Sequence, residues 1–160
     1  MNSFIATANP ATDTQRRDRA TLTNDGWFPD IDVLDLRESM RLDGTVTDER
    51  LCPATLEAMA SINAELASWQ TAQRAAGHAD LASVPAPTVN GESTHLLRYR
   101  RAVYHLARAD LTEQYRAYDT TKSGSQRAEE LEATISESRR NARWAVNAIR
   151  GIARSTIELI

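Results

Sequence analysis

The sequence predicts an all-α fold: a small four-helix bundle with one long carboxy-terminal helix, preceded by a flexible amino-terminal arm. Three observations lead there. Apolar side chains recur at spacings of three and four through long stretches, the signature of helices with one buried face. Most of the six glycines and five prolines fall at the breaks between those stretches. The last stretch carries one seam almost to the final residue. No sheet larger than a stray hairpin is expected.

Residues 1–26 hold few large apolar side chains beyond Met1, Phe4, Ile5 and Leu22. A segment so poor in apolar surface cannot offset its ordering entropy alone, so it reads as a flexible arm that orders against a neighbour. The domain then spans 27–160 and opens on Trp27-Phe28-Pro29. Asp30 is a good N-cap for a first helix over 30–42, with Ile31, Val33, Leu34, Leu36 and Met40 as its apolar residues. Asp43-Gly44 ends it.

Thr47 caps a second helix over 50–75, with Asp48 and Glu49 in its first turn and Pro53 near its start. Leu56, Met59, Ile62, Leu66 and Trp69 form its apolar stripe. Gly77, Pro85, Pro87 and Asn90-Gly91 interrupt residues 76–92. So long a connection is expected to project and make a contact of its own. Ser93 opens a third helix over 93–118, whose broad apolar face includes Leu96, Leu97, Val103, Tyr104, Leu106, Leu111 and Tyr115. Thr120 to Ser125 form the next break.

The fourth helix is expected over 126–160, with Ser123 and Gln126 at capping-box spacing ahead of it. Its seam runs Ala128, Leu131, Ile135, Ser138, Ala142, Ala145, Ile149, Ile152, Thr156 and Leu159. At about 1.5 Å per residue such a helix runs roughly 50 Å. A compact domain of this size is about 40 Å across, so the helix should overhang it. The overhanging end carries Ile157, Leu159 and Ile160, for which a partner is the simplest cover.

Composition narrows the function classes. The charged fraction is 26% and the net charge −3, so nothing global argues for nucleic acid or membrane as partner. The charges are unevenly spread, however. Residues 30–50 hold seven acids against three arginines, whereas 138–160 hold five arginines against Glu158 alone. Such blocks mark surfaces that meet one another or a partner, or else ordinary solvated helix faces. The single cysteine, Cys52, forbids an intrachain disulfide. No apolar run reaches the roughly 18 residues of a membrane span, and the amino terminus lacks signal-peptide character, so synthesis in a cytosol is expected.

No constellation for catalysis emerges. His95 and His105 lie ten apart, not at the i, i+4 spacing of helical zinc pairs, and His78 stands apart from both. Cys52 has no orienting group for nucleophilic work and reads as a small core filler. Asp30, Asp32 and Asp35 read as a cap and solvated first turn. Arg98, Arg100 and Arg101 could meet phosphates, although exposed arginines beside a core stripe are commoner. No enzyme, metal or cofactor is expected.

Four stretches are more distinctive than their physics. They are GWFPDIDVLDLRESMRLDGTVT (Gly26–Thr47), INAELASWQ (Ile62–Gln70), YRRAVYHLARADLTEQYRAYDTT (Tyr99–Thr121), and RRNARWAVNAIRGI with STIELI within Arg139–Ile160. In this order they resemble the head completion, or gpL-type, proteins of temperate contractile-tailed bacteriophages. The resemblance implies a structural adaptor of the head-tail connector. It would bind below the portal once DNA is packaged, hold the genome in the capsid and accept the tail. It also implies a homo-oligomeric ring, generally of about twelve copies, as in other neck assemblies of closed symmetry. Portal protein and tail-terminator or other neck proteins would be its partners, with packaged DNA passing through the channel without sequence-specific binding. Location in the virion, after synthesis in the host bacterial cytoplasm, goes with that reading. The expected protein interface comprises Trp27, Phe28, Arg139, Arg143, Arg150, Arg154, Ile157, Leu159 and Ile160. The competing class is a helical nucleic-acid-binding protein using the carboxy-terminal arginine face. Against it stands a sequence pI of about 5.6.

Overall fold

The computed structural model describes residues 21–42, 44–118 and 125–153. The arm residues 1–20, the break at 119–124 and the tip at 154–160, with Arg154, Ile157, Leu159 and Ile160, lie outside them. The described chain is mostly helical, with two small two-stranded sheets. Its elements are β1 (Thr21–Leu22), β2 (Ile31–Asp32), α1 (Val33–Ser39), α2 (Asp48–Ala75), a 3₁₀ turn (Leu81–Ser83), β3 (Thr88–Val89), β4 (Glu92–Ser93), α3 (Thr94–Tyr118) and α4 (Ser125–Ile149).

The long helices are arranged in series around α3. Helix α3 packs along α4 and along α2, while α2 and α4 touch only slightly. Both pairs run antiparallel. Trp69, Asn63 and Arg50 of α2 meet His95, Tyr99 and Tyr115 of α3 in turn. Arg98 and Glu113 of α3 meet Ala148 and Arg139 of α4. Accordingly Tyr99, Ala102, Val103 and Ala107 of α3 are almost wholly buried. The short α1 lies across this assembly, held by the Tyr104 hydroxyl, which donates to Asp35 Oδ2 at 2.5 Å. A row of three long helices plus one two-turn helix replaces the expected four-helix bundle.

Several boundaries move for identifiable reasons. Residues 21–26, read from sequence as arm, belong to the domain: Thr21 pairs with Asp32 and Leu22 with Ile31. That pairing keeps 31–32 extended, so the N-cap of α1 is Asp32 rather than Asp30. Its carboxylate accepts from the N–H groups of Leu34 and Asp35 at 2.8 and 3.2 Å. Helix α1 also stops before Gly44. Arg41 takes the left-handed conformation (φ 52°), and Leu42 N–H closes back onto the Arg37 carbonyl at 2.9 Å. Thr47 occupies the N-cap position of α2 but makes no side-chain cap hydrogen bond, and Pro53 lies inside the helix.

The largest revision concerns α4. It ends at Ile149 and is about 37 Å long at about 1.5 Å per residue, so the unbroken helix expected over 126–160 is interrupted, and the expected tip lies outside the described residues. Gly151 turns left-handed (φ 74°), and Ile152 N–H bonds the Asn147 carbonyl at 2.9 Å. This is the six-to-one closure of a Schellman stop, and a glycine reaches it without the Cβ penalty. The Ala148 carbonyl, orphaned by that stop, accepts from Arg98 Nη1 at 3.0 Å. The seam itself packs as read: Ile135, Ser138, Ala142, Ala145 and Ile149 are buried, and Leu131 is half-buried. Ile152, expected to continue the seam, is 46% exposed.

The connection 76–92 does not project as expected. Asp80 and Ser83 form a reciprocal capping box that shapes the 3₁₀ turn and delivers Leu81 and Val84 into the core. Leu81 N–H donates to the Trp27 carbonyl at 2.9 Å. Beyond it, Thr88–Val89 and Glu92–Ser93 form a tight hairpin. Its two turn residues, Asn90 (φ 52°) and Gly91 (φ 78°), suit the right-handed twist of the strands. Only this tip stands clear.

The stripe of α2 is also rotated from the expected one. Met59, Ile62 and Leu66 are buried, but Leu56 is 47% exposed and Thr55 takes the inward position. Thr55 satisfies its hydroxyl by donating to the Leu51 carbonyl at 2.7 Å, and Ala54 and Ala58 are buried beside it.

Candidate interaction surface

Two of the expected interface residues are core. Trp27 and Phe28 are each 2% exposed in the subunit. Trp27 packs edge-on against Phe28 and Trp69 at 4.8 and 5.9 Å, and Phe28 stacks on Tyr99 at 4.9 Å. The segment before them sets their place. Asp25 Oδ1 accepts from the N–H groups of Trp27 and Phe28, both at 2.9 Å, and Oδ2 accepts from Gln70 Nε2. Asn24 binds the core on its other side, where its amide donates to the Pro29 carbonyl and the Tyr99 hydroxyl, and accepts from Asn63. Sequence reading missed this hub because its partners lie far away along the chain.

The electrostatics of Asp25 make the hub testable. Partial burial raises its pKa, but the N–H groups of Phe28 and Trp27, with Gln70 and Arg74, outweigh this and lower it from 3.8. A folded pKa below the unfolded one gives stability that is complete above about pH 4 and lost as pH falls through the folded value. Asp25→Ala should cost about 1 kcal/mol at pH 7. The difference from the parent protein should shrink at pH 3 in urea unfolding. A gap of equal size at both pH values would show that the charge is irrelevant.

The remaining expected residues divide. Arg139 pairs with Glu113 of α3, both half-exposed, so the pair contributes little to stability. Arg143 and Arg150 are exposed on α4 and the turn after it. Arg140, not singled out from sequence, lies over the Trp144 ring at 5.0 Å. Beside it a cleft of about 410 Å³ opens between α3 and the end of α4. Arg98, Arg101, Trp144, Ala148, Gly151 and Ile152 line it. The cleft exists because α4 stops at Gly151, so only the arginines and Trp144 could have been flagged from sequence.

The groups with chemical potential are placed as structure rather than machinery. His95 is buried edge-on against Trp69 at 5.5 Å; burial and then Arg98 lower its pKa, against a hydrogen bond to the Pro85 carbonyl. Burial also lowers the pKa of His105, helped by Arg101 and Arg108 and opposed by Glu137. Burial raises the Cys52 thiol, and Asp48 and Glu49 add to the effect against Arg37, which suppresses the reactive thiolate. Among the described residues, no group of three or more His, Cys, Asp or Glu side chains could hold a metal ion. No helix among them is long and apolar enough to cross a membrane.

Comparison with known proteins places these surfaces in context. The family model described as phage head completion protein (GPL) matches residues 22–160. The head completion/stabilization protein of Escherichia phage P2 is 41% identical over 143 residues, covering 89% of this chain and 85% of that protein. No solved structure matches.

Proposed function

The chain belongs to the phage head completion protein family, and on that premise we propose that it is a structural adaptor of the virion neck. It binds below the portal as an oligomeric ring, stabilises the DNA-filled head and provides the seat for the tail. The observation that carries this reading is the match along residues 22–160, together with a relative named for both completion and stabilization. The opposed charge blocks and the exposed Arg143 and Arg150 support an assembly role. Portal and tail components of the neck are its partners, with the surface at the end of α4 and residues 154–160 facing them. Arg154, Ile157, Leu159 and Ile160 keep their place in that surface as sequence-based candidates; Trp27 and Phe28 leave it, being core.

The nucleic-acid alternative would use the same arginines. Arg139 is paired with Glu113 and so contributes less free charge to such a face. On the proposed reading, packaged DNA passes the ring without sequence-specific contact.

The test is removal of Leu159 and Ile160. Burying two aliphatic side chains at an interface is worth roughly 3–6 kcal/mol. The shortened subunit should fold with unchanged circular dichroism, yet fail to join portal-bearing heads. Those heads should fill and then lose their DNA, read as nuclease-sensitive genome. Normal retention of DNA with the shortened protein would sink the assignment of the tip, and retention without the protein at all would sink the adaptor role.

A further inference from the structure

The cleft between α3 and the end of α4 is lined by both apolar and basic side chains. Ala148, Gly151 and Ile152 form one part; Arg98 and Arg101 supply two guanidinium groups, and Trp144 an aromatic wall. Among the described residues no carboxylate lines it. Elsewhere on the same chain is a surface of complementary character. Leu34 stands 43% exposed on α1, with Asp30, Asp32 and Glu38 exposed around it. Leu34 and Glu38 lie one turn apart on one face.

We infer that α1 of one copy docks into the α3/α4 cleft of the next copy, with Leu34 against its apolar lining and Glu38 and the neighbouring aspartates against Arg98 and Arg101. This rests on the oligomeric adaptor proposed above and names the contact between its copies. Two arguments select a second copy as occupant. The charges are opposite and local, which sets the register of docking and excludes the reverse orientation. The acids also surround an aliphatic side chain, and a cleft lined by alanines, Trp144 and Ile152 accommodates that better than a bare phosphate. Because two different patches of one chain meet, the contact is heterologous. Repeated head to tail, such contacts close a ring or extend a helix, whereas a pair joined by one such contact leaves one patch of each kind unused.

The experiment uses full-length protein assembled on filled heads, with Cys52→Ser as background. Leu34→Cys and Ile152→Cys subunits are mixed and treated with a short thiol-to-thiol crosslinker. Mixed 34–152 crosslinks should exceed 34–34 and 152–152 crosslinks. In parallel, Arg101→Glu should lower subunit incorporation by about tenfold, and adding Glu38→Arg should restore it. Both changes are at exposed positions, and circular dichroism verifies folding. Subunits present on heads without mixed crosslinks, or a double variant that stays defective, overturn the α1-to-cleft contact while leaving the adaptor reading intact. Crosslinking of residue 152 to the portal instead assigns the cleft to the portal and likewise overturns it. Parent protein that never binds filled heads overturns both.

Discussion

Trp27→Ala will lower the unfolding free energy of the isolated subunit by about 3–5 kcal/mol, read from the midpoint shift in urea. The indole is 2% exposed, so its removal leaves a cavity rather than a solvated notch. It joins three parts of the chain. Its ring meets Phe28 and Trp69, Arg74 lies 6.0 Å from its centroid, and Nε1–H donates to the His78 carbonyl at 3.3 Å. Its own carbonyl holds the 3₁₀ turn through Leu81. A domain of this kind has about 5–15 kcal/mol in all, so the variant should sit near its unfolding threshold. An interface anchor would behave otherwise, weakening assembly but leaving the lone subunit unchanged. A loss below about 1 kcal/mol would restore that role to Trp27.

Tyr99→Phe will cost about 1–3 kcal/mol, the penalty of leaving buried polar groups without partners. The Tyr99 hydroxyl donates to Asn63 Oδ1 at 2.6 Å and accepts from Asn24 Nδ2 at 2.8 Å. Burial pushes its pKa up, Asn24 pulls the other way and the charge of Asp25 adds to the rise, so the hydroxyl remains a donor across the working pH range. Phenylalanine keeps the stack on Phe28 and removes only the oxygen, which isolates the polar contribution. Unfolding of Tyr99→Phe together with Asn63→Leu measures the coupling, since the pair should lose less than the sum of the two single changes. Strict additivity would show that the three side chains do not act as a unit.

The long helices were legible because their evidence is local. The apolar spacing of α3 and α4 and the Thr47 N-cap position of α2 are written within a few residues of each boundary. What escaped depends on distance or on rival local signals. Asn24 reaches Tyr99 across 75 positions, and no local pattern marks either end. Leu56 looked like core from its hydrophobicity, yet the smaller Thr55 takes the inward position. At the end of α4 the glycine stop signal was present at Gly151. The three-four seam beyond it suggested continuation, but backbone conformation prevailed. For the candidate surface, the charge blocks were visible as composition, whereas the cleft at Arg98 and Arg101 requires knowing where α4 ends. Trp27 and Phe28 were legible as important but not as core, because aromatic pairs at a domain edge have the same sequence appearance in both roles.

The serial arrangement of the three long helices has a consequence for how mechanical and thermal stress would travel through the molecule. Each outer helix has α3 as its principal neighbour, although one contiguous core joins all three. Helix α3 belongs to both pairs. Stress applied to α4 by a docking partner reaches α2 chiefly through α3. A subunit built this way can let its α4 side adjust to a mismatched partner while the α2 side, with the Trp27 and Asn24 clusters, keeps its shape.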